Sequence, residues 1–193
     1  MSDGPHASQV APGLRMFYAL RPDQPTQTRI AAAAHAIAWA DSVRLVPAEN
    51  YHLTIAFVGE IGTERLPLLR RIGAHLRAAS CTIEFDRTEY WPKPAVVVAA
   101  AREIPAALEY CWRALHQDLA RHDFQLDPKR LRPHVTLARK VAQAPVLTPI
   151  GKFAWCASDF CLMRSSAGGA QPVYTVLDTW PLLDEGENSS KSP

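Results

Sequence analysis

The 193-residue sequence predicts an α+β fold built on antiparallel sheets. Three observations predict it. Strand-like and helix-like stretches alternate along the chain. Several neighbouring strand candidates are joined by short connections, which favours antiparallel pairing. Two strand candidates, each following a long helical stretch, carry the same pattern of His, apolar, Thr, apolar: His52-Leu53-Thr54-Ile55 and His134-Val135-Thr136-Leu137. The repeat suggests a structural duplication, although the halves otherwise share little residue identity.

Residues 14–20 form the first strand candidate, and after Pro22 the Ala-rich stretch 26–41 reads as a helix. A short apolar piece, 43–46, stops at Pro47, and 51–58 is a strong strand candidate closed by Gly59. Residues 63–79 read as a helix, with Leu66, Leu69, Ile72, His75 and Leu76 near three- and four-residue spacing and Pro67 early, where proline is tolerated. Residues 81–85 alternate in character. After Pro94 the run 95–101 is small, β-branched and uncharged, as a buried strand should be. Residues 105–122 read as a helix with Leu108, Cys111, Trp112, Leu115 and Leu119 as its apolar stripe. Residues 132–138, 153–163 and 173–177 complete the pattern as strands. The polar, non-periodic ends, 1–13 and 184–193, read as loose tails around one folded unit, 14–183.

Composition limits the function classes. Hydrophobic residues at 48% and charged residues at 21% suit a globular chain with a sizeable core. A net charge of +2, from 21 basic and 19 acidic residues, does not describe a strong duplex nucleic-acid binder but allows a local basic cleft. Cys81, Cys111, Cys156 and Cys161 form no C-x-x-C pair and no zinc-finger spacing, so reduced core cysteines are expected. The N-terminal stretch lacks the apolar segment of a signal peptide, and no apolar run reaches membrane-spanning length. A cytoplasmic location without membrane attachment is expected.

The doubled motif carries the chemistry. Residues two apart on a strand share a face, so each histidine has a threonine beside it. Cleavage of a phosphodiester needs a base, an acid and donors to the phosphoryl oxygens. Histidine suits the first two tasks because its ordinary pKa lies near 6.5. The hydroxyls of Thr54 and Thr136 suit the third without changing the charge of the pair. Neither motif contains a carboxylate, and two histidines fall short of the three protein ligands usual for catalytic zinc, so no metal is expected. A triphosphate-binding Gly-rich loop is not present in the sequence. One His-x-Thr on a strand is ordinary. Two, each led by a proline (Pro47 and Pro133), are not.

The chain resembles the 2H phosphoesterase superfamily, named for its two His-x-Thr motifs, and within it the bacterial RNA 2′,3′-cyclic phosphodiesterases, also called 2′-5′ RNA ligases. The resemblance rests on residues 15–20, 46–60 and 132–139, and on Tyr174-Thr175-Val176-Leu177 before Trp180-Pro181-Leu182. It implies a bilobal, pseudo-twofold fold in which two antiparallel sheets line a central cleft with helices outside. It implies metal-independent opening of a 2′,3′-cyclic phosphate to a 2′-phosphomonoester, and in some members 2′-5′ ligation. By that resemblance His52 is the proton donor to the leaving 3′ oxygen, and His134 is the acceptor that activates water. The expected partners are RNA ends or nucleotides bearing the cyclic phosphate, bound by a monomer without cofactor.

Arg139 matches an arginine that follows the second motif in the family. As a fork of donors it suits phosphate. Simple alternation, however, puts it on the face opposite His134 and Thr136, so it reads either as a phosphate ligand or as a surface arginine. Phe17, Tyr18 and Tyr174 suit either base stacking or core packing. Lys129, Arg130 and Arg132 form a basic cluster that reads as a solvated loop or an RNA contact. His6 lies in the tail, while His35, His75, His116 and His122 read as structural or exposed. Glu49 and Glu60 flank the first motif in turn or surface roles. Two other readings stand beside the enzyme: a non-catalytic module that binds an RNA end or nucleotide, and a 2H phosphodiesterase for another cyclic phosphate or oligonucleotide linkage.

Overall fold

A computed structural model describes residues 13–147, 149–166 and 172–184. Apart from Gly13 and Asp184, the expected tails and His6 lie outside the described residues. The elements run β1 (Leu14–Leu20), α1 (Gln24–His35), β2 (Arg44–Leu45), β3 (Leu53–Ile61), α2 (Leu66–His75), β4 (Cys81–Phe85), β5 (Arg87–Trp91), β6 (Val96–Ala100), α3 (Ala106–Arg121), β7 (His134–Arg139), β8 (Phe153–Ala157), β9 (Asp159–Ser166) and β10 (Val173–Pro181). One four-stranded sheet has the order β10-β9-β1-β3, a second the order β2-β7-β6-β5, and β4 pairs with β8. All these ladders are antiparallel.

The two sheets repeat a pattern. In the first, β1 is flanked by β3 and β9; in the second, β6 is flanked by β7 and β5. A helix follows the central strand in each half and packs across to the other: α1 lies against β7, and α3 against β3. The helix α2 packs on β9 and β10. The buried face of α3, Leu108, Cys111, Leu115 and Leu119, follows the three- and four-residue spacing of its sequence.

Alternation along the strands sorts the apolar side chains into faces. Met16, Tyr18 and Leu20 of β1 and Val97 and Ala99 of β6 enter the main core. Phe17 and Ala19 form a small cluster with Cys161 and Met163 on the opposite face of the first sheet. Val96, Val98 and Ala100 form another, with Trp91, on the second sheet. These two faces carry the His-x-Thr motifs. The Tyr18 hydroxyl donates to the Leu69 carbonyl of α2 at 2.6 Å in the interior, and burial pushes its ionisation far above the ordinary range. Tyr18 is therefore a core residue.

Several boundaries differ from the sequence expectation. The first helix ends at His35, where the Trp39 indole donates to the Ala34 carbonyl at 2.8 Å and satisfies part of the helix terminus. The second occupies only Leu66–His75, because Ala78 and Ser80 bond instead to the backbone of Leu183. The strand through the first motif begins at Leu53 and passes through Gly59, which takes φ 88°. The stretch 153–163 is two strands in different sheets, parted at Ser158, whose carbonyl accepts from Leu182 N at 2.8 Å. Finally, β5 was not anticipated, since Arg87-Thr88-Glu89-Tyr90-Trp91 lacks an apolar run. Among the described residues, no helix is long and apolar enough to cross a membrane.

Candidate active site

Both motif strands break their pairing at the same point. Tyr18 and Ala19 oppose Ala56 and Thr54, leaving Ile55 as an extra residue in β3. Val97 and Val98 oppose Ala138 and Thr136, leaving Leu137 as an extra residue in β7. Each is a β-bulge at the last position of the motif. Ile55 and Ala56 consequently both enter the core, as do Leu137 and Ala138. The next residue in each strand returns to the motif face: Phe57 in β3 and Arg139 in β7. Arg139 thus lies on the same face as His134 and Thr136, correcting the simple alternation of the sequence. The helix α3 packs behind β3.

The two histidines are held alike. His52 Nδ1 lies 2.8 Å from the Asn50 carbonyl, and His134 Nδ1 lies 2.7 Å from the Arg132 carbonyl. A carbonyl only accepts, so each Nδ1 carries a proton and each Nε2 is left to accept or donate toward the site. Rings restrain both. His52 contacts Phe17 at 5.0 Å and Tyr174 at 4.9 Å between centroids, and His134 contacts Trp91 at 4.5 Å.

A depression of about 300 Å³ opens beside His52, lined also by Thr54, Phe17, Phe57, Arg15, Arg139 and Tyr174. Arg139 reaches it from the second sheet and donates to the Tyr174 hydroxyl at 3.3 Å. Phe17 is buried yet forms part of this wall, while Tyr174 is half-buried. Phe57 is 45% exposed, with the Arg15 guanidinium 5.3 Å from its ring centroid. Phe57 and Arg15 were not singled out in the sequence; only the bulge brings Phe57 to this face.

Burial lowers the His52 pKa to about 4, helped by the charges of Arg139, His134 and Arg21 and opposed by the bond to Asn50. Burial also lowers His134, with Arg132 and Arg139 acting alike and the carbonyl bond and Glu89 opposing. Both shifts favour the neutral imidazole. Among the described residues, no three His, Cys, Asp or Glu side chains group as a metal-ligand set.

The basic cluster before the second motif is paired: Lys129 with Asp127 at 2.9 Å, Arg130 with Glu109 at 3.5 Å and Arg132 with Glu89 at 2.6 Å. His35 is exposed and bonds the Ala31 carbonyl of its own helix. Glu49 and Glu60 are exposed. Cys81, Cys111 and Cys161 are buried free thiols and Cys156 is exposed.

Two equivalent sheets, each presenting a histidine and a threonine beside a shared arginine, have the layout of a two-histidine phosphoesterase. The family model for LigT-like phosphoesterases matches residues 20–98. The RNA 2′,3′-cyclic phosphodiesterase of Thermus thermophilus is 30% identical over 191 residues, covering 93% of this chain and 96% of its own. That of Escherichia coli is 30% identical over 140 residues, covering 72% of this chain and 80% of its own. The crystal structure of E. coli LigT complexed with 3′-AMP superposes with a TM-score of 0.80 at 27% identity, covering 89% of this chain and 99% of that one. The chain belongs to the LigT-like phosphoesterase family of the 2H superfamily.

Proposed function

We propose that this protein is a metal-independent RNA 2′,3′-cyclic phosphodiesterase that opens the cyclic phosphate to a 2′-phosphomonoester. The names of its E. coli and T. thermophilus relatives support the reaction. One observation carries the mechanism: His52 and His134 each commit Nδ1 to a backbone carbonyl and leave Nε2 for proton transfer, with the Arg139 charge acting on both.

The cleft is asymmetric, and that asymmetry supports the division of roles. Room for a nucleoside lies beside His52, among Phe17, Phe57 and Tyr174. The ring of Trp91 covers His134 instead. The leaving 3′ oxygen belongs to the nucleoside, so His52 is the group that protonates it. In-line attack comes from the opposite side of phosphorus, where His134 takes the proton from water. Thr54, Thr136 and Arg139 donate to the non-bridging oxygens as charge builds on them. The bound phosphate's negative charge raises the lowered imidazole pKa values, which favours protonation of His52 once substrate is present. The chain itself supplies acid, base and charge stabilisation. Replacing water by the 5′ hydroxyl of a second RNA would give a 2′-5′ linkage at the same centre. Both motifs come from one chain, which supports a monomer, and we place the activity in the cytoplasm.

The test is incubation with RNA ending in a 2′,3′-cyclic phosphate, in EDTA, followed by analysis of the product end. A 2′-phosphate supports the proposal. A 3′-phosphate, or tight binding without product, contradicts it.

A further inference from the structure

We propose that Glu89 and Trp91 are positioning residues for His134, fixing that imidazole through a ring anchored by a carboxylate. This rests on the reading that His134 takes part in turnover.

Arg87, Glu89 and Trp91 of β5 oppose Ala100, Val98 and Val96 of β6, and His134 of β7 opposes Ala100 from the other side. All share the motif face. The small side chains of β6 leave room above the sheet, and Trp91 lies across them to reach His134, 4.5 Å between ring centroids. The Trp91 Nε1–H donates to Glu89 Oε2 at 2.8 Å. Arg132 donates to that same oxygen at 2.6 Å and stands over the Trp91 ring, 4.5 Å from its centroid. Arg87 donates to the other Glu89 oxygen at 2.7 Å.

These contacts close on themselves. The carbonyl that receives His134 Nδ1–H belongs to Arg132, the residue whose side chain Glu89 holds. Glu89 therefore reaches His134 by two routes: through Trp91 to the ring, and through Arg132 to Nδ1. Burial opposes ionisation of Glu89, but the bonds from Trp91 and Arg87 and the charge of Arg132 outweigh it and keep the carboxyl ionised.

On the first sheet His52 is also flanked by rings, Phe17 and Tyr174, but among the described residues no carboxylate anchors them. The strand β9 of that sheet places Cys161 opposite Ala19 and Met163 opposite Phe17, where β5 places Glu89 and Trp91 in the pseudo-equivalent register. The charged groups bearing on His134 are Glu89, Arg132 and Arg139; His52 in turn feels His134, Arg139 and Arg21.

The test measures kcat and KM on a nucleoside 2′,3′-cyclic phosphate across pH, with imidazole NMR titrations of His134 and His52, in Trp91→Ala, Trp91→Phe, Glu89→Ala and Glu89→Gln. Trp91→Ala and Glu89→Ala are expected to lower kcat about ten- to hundredfold with KM changed less than about threefold, the scale of a misplaced reacting group. The pH-profile limb and NMR titration of His134 should move, and those of His52 should not. Trp91→Phe restores the ring and should recover part of the loss; Glu89→Gln, keeping an acceptor but no charge, should fall between. If the alanine variants do not fold, the Phe and Gln variants decide by the same readouts. Folded variants with wild-type kcat and an unmoved His134 titration overturn the proposal. Should the wild type turn over no cyclic phosphate, the functional reading fails, and the NMR comparison still decides whether Glu89 and Trp91 hold His134.

Discussion

Phe57 and Arg139 occupy equivalent positions in the two halves. Each comes three residues after the threonine of its motif, and each is returned to the site face by a bulge. One half thus offers an exposed ring and the other a guanidinium. Both line the depression beside His52, so a pseudo-symmetric frame presents a ring from one half and a charge from the other to the same space.

Removing the guanidinium should cost turnover. Arg139→Ala is expected to lower kcat/KM about ten- to hundredfold, the worth of a charge-assisted hydrogen bond. Arg139→Lys should recover part, because a lysine supplies the charge without the fork. Steady-state kinetics on a cyclic nucleotide measures both; an alanine variant within twofold of wild type would remove Arg139 from the phosphate site.

Removing the ring should act on binding instead. Phe57→Ala is expected to raise KM about five- to hundredfold with kcat changed little, since base stacking on an aromatic ring contributes about 1–3 kcal/mol. A fall in kcat at constant KM would contradict a stacking role.

The half-buried His52 imidazole gives a pH signature. The folded pKa of His52, about 4, lies below its unfolded value, so the unfolded chain binds the proton more readily as pH falls. Its stability contribution is full above about pH 6.5 and is lost as pH drops toward 4. Thermal unfolding of the wild type should weaken across that interval more than unfolding of His52→Gln. An NMR titration of free His52 near 6.5 would contradict the burial argument, whereas added phosphate should move it upward.

Two glycines are set by geometry. Gly59 sits at φ 88° with open space around it, so Gly59→Ala should cost about 1 kcal/mol from backbone strain alone. A Cβ on Gly73 would run into the Trp180 ring, and Gly73→Ala should cost about 1–3 kcal/mol by overpacking. Gly151→Ala, with no neighbour within 4 Å and an ordinary φ, is the near-neutral control. Urea unfolding distinguishes the three.

The sequence carried His52, Thr54, His134 and Thr136 plainly, because a repeated pattern in strand-like runs is visible without tertiary information. It also carried β1, β4, β6 and α3 closely, whose apolar spacing matches the surfaces they bury. What it hid depends on register. A bulge leaves no mark in composition, so Arg139 alternated to the wrong face and Phe57 was not noticed. The strand β5 hid because its site-face residues Arg87 and Glu89 are charged; they are satisfied by each other, by their neighbours Asp86 and Trp91, and by the distant Arg132. Ser158 could not be read as a break because Phe153 to Met163 is apolar enough to suggest one strand, although its halves pair in different sheets.

The central claim is that the two imidazoles divide one proton transfer each. It is tested most directly by turnover of RNA ending in a 2′,3′-cyclic phosphate by His52→Ala and His134→Ala, with circular dichroism reporting the fold. The account predicts that each variant stays folded and loses about 10²- to 10⁴-fold in kcat, the usual worth of a positioned acid or base. Near-wild-type rates in both folded variants would contradict it.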